Sequence, residues 1–230
     1  MSDLTVIYIT ANRVPKKWES YQMDVLKKAL LDNDVITISR EPMDFGQNIL
    51  DVEPLYNGNF PRQLFRGIEK ARTKYIALAE DDTLYTSDHF MFRPNLDRFF
   101  YSFNRYILYL WDPQFYYKLD QLAGAGMICN RNLALDALGD RIEKYPNGLP
   151  RDRYVEFGYE RRYPNLGLNF HSIGKFKQGN PIVQVEHLYF SSMENNHYNR
   201  SIKRNKQKPH HYYDEIPYWG KTENIIRYFQ

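Results

Sequence analysis

The stretch from Phe60 to Tyr85, FPRQLFRGIEKARTKYIALAEDDTLY, changes its period once, and that change decides the fold. Pro61 suits the first turn of a helix, where its missing N–H costs nothing and its fixed φ is already helical. Leu64, Phe65, Ile68 and Ala71 then fall on one side, with Arg62, Arg66, Glu69 and Lys70 elsewhere, so a helix with one apolar face is expected. Tyr75 to Ala79 follows as a short apolar run of strand length. Glu80-Asp81-Asp82 comes directly after it and places three carboxylates at the carboxyl end of the expected strand.

Toward the N-terminus the alternation repeats. Thr5 to Thr10 (TVIYIT) is a β-branched and aromatic run that ends at Ala11-Asn12-Arg13, as a buried parallel strand entering a loop should. Trp18, Tyr21, Val25, Leu26, Ala29 and Leu30 recur at helical spacing until Asp32-Asn33-Asp34 stops them, and Val35 to Ser39 supplies a second strand. Glu41 to Phe60 holds Pro42, Gly46, Pro54 and Gly58 with no sustained period and reads as a long loop. Strand, helix, strand, helix, strand within the first third of the chain implies right-handed crossovers and a mostly parallel sheet with helices on both faces. Ligands of such a sheet bind outside the carboxyl ends of its strands.

Toward the C-terminus, Tyr106 to Trp111, Met127 to Cys129 and Ile182 to Val185 read as strands, and Leu133, Ala137, Leu138 and Ile142 mark a helix. Ala123-Gly124-Ala125-Gly126 reads as a tight turn, because the lysine of a P-loop and the dinucleotide fingerprint are both absent. From Asn195 to Tyr213 the pattern dissolves into polar and basic residues, including Arg200, Lys203, Arg204, Lys206 and Lys208. This segment is expected to be a mobile tail or a lid.

The size, 230 residues, is enough for one generous domain with a real core, and 43% hydrophobic residues against 26% charged argue against disorder. The longest apolar runs, Val6 to Ile9 and Ile76 to Ala79, are far below the roughly 20 residues of a membrane-spanning helix. The start, Met-Ser-Asp, lacks the pattern of a secretory signal, and the single cysteine, Cys129, excludes an intrachain disulfide and reads as a buried thiol. Together these features favour the cytoplasm. A formal charge of +3 is too mild to argue for nucleic acid by itself. The 20 Tyr, 14 Phe and 3 Trp suit stacking on sugars or bases, or packing alone.

Three adjacent carboxylates repel one another and call for a compensating cation. A hard divalent ion with oxygen ligands, held also by substrate phosphates, is the economical partner. The plainer alternative is a solvated acidic turn that caps the next element.

The segment Phe60 to Tyr85 resembles the stretch leading into the Asp-X-Asp motif of GT-A-fold nucleotide-sugar glycosyltransferases, with Gly67-Ile68-Glu69-Lys70-Ala71 before the apolar strand and Glu80-Asp81-Asp82 as the acids. Thr5 to Arg13 resembles the same family's first strand and nucleotide-contacting loop. The resemblance covers roughly the first 90 residues. It implies a single α/β GT-A domain over 1–194, with 1–90 as the nucleotide-sugar half and 91–194 as the acceptor half, followed by a basic, aromatic tail or lid over 195–230. It also implies metal-dependent transfer, with Mn²⁺ or Mg²⁺, from a UDP-linked donor to an acceptor hydroxyl with inversion. By the same resemblance Asp82 binds the metal, Glu80 and Asp81 contact the ribose and the metal's water shell, Thr10, Asn12, Arg13 and Arg40 surround the base and ribose, and Arg62 approaches the diphosphate. His187 is the candidate second metal ligand, with His171, His210 and His211 as rivals. Glu160 in Gly158-Tyr159-Glu160-Arg161 is the candidate base. Arg161 stands where the family carries an acid, which leaves Glu156 and Asp152 as alternatives and a surface salt bridge as the plain reading of Glu160. The acceptor stays open between a hydroxylated base in DNA and a glycan. Two other functions stay open as well: sugar nucleotidyl transfer, disfavoured because no glycine-rich loop follows the first strand, and a sugar-binding or nucleic-acid-binding module with structural acids only.

Overall fold

A computed structural model describes residues 2–53, 59–117, 121–149, 156–186 and 211–229. The N-terminal half alternates as expected: β1 (Leu4–Ile9), α1 (Lys16–Leu30), β2 (Asp34–Ser39), β3 (Gln47–Leu50), α2 (Asn59–Lys70), β4 (Tyr75–Glu80), β5 (Thr83–Leu84) and α3 (Ser87–Met91). There follow β6 (Phe99–Ser102), β7 (Arg105–Tyr109), β8 (Asp112–Tyr117), β9 (Met127–Asn130), α4 (Arg131–Lys144), β10 (Ile173–Phe176) and β11 (Ile182–Glu186). The last elements are β12 (Tyr212–Tyr213), β13 (Glu215–Ile216), β14 (Gly220–Lys221) and a one-turn helix, α5 (Glu223–Ile226).

The central sheet has seven strands in the order β10-β6-β9-β4-β1-β2-β3. β1 is parallel to β2 and β4, and β2 to β3, while β9 runs antiparallel between β4 and β6. The sheet is therefore mostly parallel. Alternate residues of β1 serve two cores. Ile7 and Ile9 pack with Leu64 and Ile68 of α2 and Ala134 and Leu138 of α4, whereas Leu4, Val6 and Tyr8 pack with Leu26, Ala29 and Leu30 of α1 and Phe90 of α3. Helices on both faces explain why β1 and β4 show no polar alternation.

Gly67 lets α2 lie close on the sheet, because a Cβ there would sit 2.8 Å from Ile7 Cγ2 and 2.9 Å from Ile38 Cδ1. Cys129 is fully buried, and burial pushes its thiol well above the ordinary range. Among the described residues no helix is long and apolar enough to cross a membrane.

A second sheet, β12-β8-β7-β11-β5, was not anticipated as a unit. Tyr106 to Trp111 and Ile182 to Val185 were expected as strands, but they pair parallel with each other in this sheet and do not join the central one. One face, with Leu84, Leu108, Phe115, Val183 and Val185, packs against Val14 and Trp18 at the start of α1 and against Ile216 and Ile225. The opposite face carries Arg105, Ile107, Gln184 and Glu186, two residues apart along each strand.

Two expectations need adjusting. The long loop after Ser39 contains the edge strand β3, which pairs Ile36 with Gln47 and Ser39 with Leu50. The expected tail lies outside the described residues as far as 210. Beyond that, Tyr212 and Tyr213 pair antiparallel with β8, and Phe229 and Tyr228 stack on Trp18 and Tyr21 at centroid distances of 4.3 and 3.9 Å, so residues 211–229 are built into the body.

Candidate active site

The carboxyl ends of β1 to β4 form one edge, and most of the expected donor-binding residues gather there. Thr10, 4% exposed, donates its hydroxyl to Asp81 Oδ2 at 2.6 Å and accepts the N–H of Asn12 at 2.9 Å. Asn12 adopts φ 53°, a left-handed conformation that asparagine tolerates better than most residues. Its side-chain oxygen accepts the backbone N–H groups of Arg40 at 2.8 Å and Glu41 at 3.1 Å, which ties the loop after β1 to the end of β2. Arg40 reaches Asp51 Oδ2 at 3.5 Å.

Asp51 was not singled out in the sequence. It is 1% exposed at the end of β3 and gathers Asn59 Nδ2 at 2.8 Å, with Gln63 and Arg66 also donating to it. Burial raises its pKa, but the hydrogen bonds from Arg66 and Gln63 outweigh that and hold it below the ordinary range. The aspartate stays ionised and pins α2 to the sheet edge.

The three acids at the end of β4 diverge. Asp81 is 4% exposed and turned inward onto Thr10, with Trp18 Nε1 donating to its backbone oxygen at 2.7 Å. Burial and then the charge of Asp82 push it up to about 7. Burial pushes Asp82 up to about 6, while hydrogen bonds from Thr83, 2.8 Å from Oδ1, and from Gln184 pull it back. Glu80 stands well above the ordinary carboxylate range because of burial and then of Asp82 and Asp81, with Arg105 opposing. A cluster of groups perturbed by burial and by one another at a strand end is a candidate functional site.

Glu80 opens into a cavity of about 270 Å³ between the edge of the central sheet and the polar face of the second sheet. Its wall is made by Glu80 and Phe60, by Arg105, Ile107, Gln184 and Glu186, by the turn Gln121 to Gly124, and by Glu156. Arg105 is 1% exposed, donating Nη1 to Gln184 Oε1 at 2.9 Å and Nη2 to the Gln121 carbonyl at 3.2 Å. Its Nε has no hydrogen-bond partner among the described residues. Glu156 is pushed up by burial, with Arg105, Arg141 and Arg162 opposing.

The donors suit a hard cation. Glu80 and Asp82 would supply carboxylate oxygens, and Mg²⁺ typically takes one or two carboxylates and completes its shell with water and substrate phosphates. Among the described residues no group of three or more His, Cys, Asp and Glu is arranged to hold an ion. His187, His210 and the alternative base Asp152 lie outside the described residues.

Arg62 donates to the Pro146 carbonyl, while Arg13 is exposed on the loop after β1. His211 is exposed on the approach to β12 and gives its carbonyl to Tyr117. Glu160 does not line the cavity. It is 3% exposed and forms a buried ion pair with Arg141 at 2.8 Å, accepts the Gly158 N–H at 2.7 Å, and meets His171 Nδ1 at 3.1 Å, so His171 stands with Glu160 and not with the acids of β4. Burial raises the pKa of Glu160, but His171, backbone N–H groups and Arg141 together hold it below the ordinary range.

This network fixes the loop that carries Glu156. Tyr101 donates to the Phe157 carbonyl at 3.1 Å, and Tyr159 accepts the Leu122 N–H at 2.9 Å. Gly158 has φ 100°, and a Cβ there would lie 2.3 Å from Ile173 Cγ2.

No family model matches the chain, and no curated protein matches its sequence. Solved structures do. S. aureus TarS 1-349 in complex with UDP-GlcNAc matches at TM-score 0.46 and 9% identity, over 83% of this chain and 61% of that one. HddC from Yersinia pseudotuberculosis matches at 0.45 and 11%, over 87% and 98%. A glycosyltransferase involved in the glycosylation of the major capsid of PBCV-1 matches at 0.50 and 8%, over 89% of this chain and 100% of that chain. The last likeness runs over both chains almost end to end, and with the mostly parallel sheet, the helices on both faces and the acids at the end of β4 it gives this chain the fold of that glycosyltransferase.

Proposed function

We propose that the protein is a metal-dependent glycosyltransferase, moving a sugar from a UDP-linked donor to an acceptor hydroxyl with inversion. The observation that carries this reading is the run of Glu80, Asp81 and Asp82 at the carboxyl end of β4, with Glu80 opening into the cavity that Glu156 also lines. Thr10, Asn12, Arg40 and Asp51 would form the floor under the nucleoside, and Glu80 and Asp82 would hold Mn²⁺ or Mg²⁺ together with the diphosphate. When bound, the ion would offset the charge that builds on the departing diphosphate.

Glu156 takes the part of the base in place of Glu160. Its burial strengthens it as a proton acceptor, and it lines the cavity where an acceptor would stand. The acceptor O–H gives its proton to the Glu156 carboxylate as the oxygen forms a bond to the sugar's anomeric carbon. The bond from that carbon to the diphosphate oxygen breaks, and its electron pair leaves with the nucleoside diphosphate.

A ligand that binds only the folded state stabilises it by about 2.7 kcal/mol at a concentration a hundredfold above its Kd. UDP with Mn²⁺ is expected to raise the melting temperature of the full chain, and the rise should vanish with a chelator and in Asp82→Ala. An equal rise without metal, or in the variant, would sink the proposal.

A further inference from the structure

Helix α1 meets the acidic turn with two buried side chains. Trp18 and Gln22 stand at i and i+4 and therefore share one face of the helix. Gln22 is a polar residue in a buried row otherwise made of Trp18, Leu26, Ala29 and Leu30. A buried amide costs free energy unless its hydrogen bonds are made, and here its donor bonds go to the turn that holds Glu80, Asp81 and Asp82.

Each carbonyl from Glu80 to Thr83 is held from outside the turn. Gln22 Nε2 donates to the Thr83 oxygen at 3.1 Å and to the Glu80 oxygen at 3.4 Å, while Gln22 Oε1 accepts the Tyr8 hydroxyl at 3.2 Å. Trp18 Nε1 donates to the Asp81 oxygen at 2.7 Å, and the Val185 N–H donates to the Asp82 oxygen at 2.8 Å. A peptide group is planar, so the bonds from Trp18 and Val185 fix the two peptides that flank Asp82. The Cα–Cβ bond of Asp82 leaves between them in a set direction, and the Thr83 hydroxyl then holds its carboxylate, 2.8 Å from Oδ1.

Three carboxyl groups in a row repel one another whenever more than one is ionised, and a turn free to move would let them spread. Trp18 is itself gripped by rings: Phe229 stacks on it at 4.3 Å between centroids, and Tyr21 lies against it at 5.9 Å.

We infer that Trp18 is a positioning residue, whose indole N–H, through the Asp81 carbonyl, aims Asp82 at the cation that accompanies the nucleotide. The inference rests on the glycosyl-transfer reading and goes beyond it by naming what orients the ligand carboxylate. The competing role is packing alone, since Trp18 also belongs to the core under the second sheet with Leu84, Leu108 and Val183.

The test separates the N–H from the ring. Replacing Trp18 by benzothienylalanine keeps the shape of the indole and puts sulfur in place of the N–H, and Trp18→Phe removes the N–H with part of the ring. Leu30→Ala, in the last turn of α1, is the packing control, because it opens a core cavity away from the acidic turn. UDP is titrated by calorimetry into the full chain with Mn²⁺ and with a chelator, at a temperature where circular dichroism shows each protein folded. The readout is the factor by which Mn²⁺ tightens UDP binding, which a loss of packing alone does not move.

The proteins without the N–H are expected to lose about tenfold of that factor, the low end of what an orienting partner of a metal ligand contributes. Their binding of UDP without metal should stay at the parent level, and Leu30→Ala should keep the parent factor. An unchanged factor in a folded protein lacking the N–H, or an equal fall in Leu30→Ala, overturns the inference alone. A parent protein that binds UDP equally with and without Mn²⁺ overturns the glycosyl-transfer reading and the inference together.

Discussion

Glu156 and Glu160 sit on consecutive turns of one short loop, and their neighbours separate them. Glu156 borders the cavity with its pKa raised, while Glu160 is held ionised by Arg141 and His171. The two isosteric variants should therefore behave oppositely. Glu156→Gln is expected to slow UDP release at saturating donor by about 10²- to 10⁴-fold, the usual worth of a positioned base, with little change in melting. Glu160→Gln leaves Arg141, 3% exposed, short of its counter-charge and should cost about 3 kcal/mol in urea unfolding. A Glu160→Gln protein of normal stability and abolished rate would return the base to Glu160. In sequence the two acids look alike, because what distinguishes them is an arginine on α4 and a cavity wall.

At the scale of elements, two helices carry a mid-helix glycine for different reasons. Gly67 of α2 faces β1 and β2 at contact distance, whereas an added Cβ at Gly139 of α4 meets only Phe65 Cε2, at 3.9 Å. Gly139→Ala is expected to stabilise the protein by about 0.5–1 kcal/mol through helix propensity and the unfolded chain's lost freedom. Gly67→Leu should destabilise it by about 1–3 kcal/mol by overpacking against Ile7 and Ile38. Urea denaturation of both checks the packing of α2, and a stable Gly67→Leu would contradict it. The C-terminal segment acts on the site through α1. Phe229 stacks on Trp18, whose indole N–H holds the carbonyl of Asp81.

For the whole molecule, two buried groups, Asp51 and His89, link its stability to pH in the same sense, because each has a folded pKa below its ordinary value. Asp51 has a folded pKa below its ordinary 3.8, so its pairing with Arg66 and Arg40 stabilises the fold fully above that value and fades as the pH falls through the folded one. His89 is fully buried, neither ring nitrogen has a partner among the described residues, and burial lowers its pKa from 6.5 to about 3. Between those values the unfolded chain takes up a proton that the folded chain refuses, so His89 weakens the fold as the solution is acidified. Relative to the parent protein, His89→Leu should gain stability, and the gain should grow from pH 7 to pH 4. Asp51→Asn should lose about 3 kcal/mol at neutral pH, with a loss that shrinks below 3.8. Guanidinium unfolding across that range measures both, and a pH-independent gain for His89→Leu would contradict the neutral, buried histidine.

The alternation of apolar runs and helical stripes from Thr5 to Asp82 was enough, without coordinates, to specify a parallel sheet covered on both faces and an acidic strand end, because burial on two faces removes polar residues from a strand and local periodicity records it. Tertiary structure alone decided that Tyr106 to Tyr109 and Ile182 to Val185 leave that sheet for a second one, that β9 runs antiparallel, that Arg105 and Glu156 line one cavity, and that Glu160 pairs with Arg141. Side-chain pairing across the fold joins residues far apart in the chain, 19 positions for Arg141 with Glu160 and 79 for Arg105 with Gln184, and no local period in the chain encodes such separations.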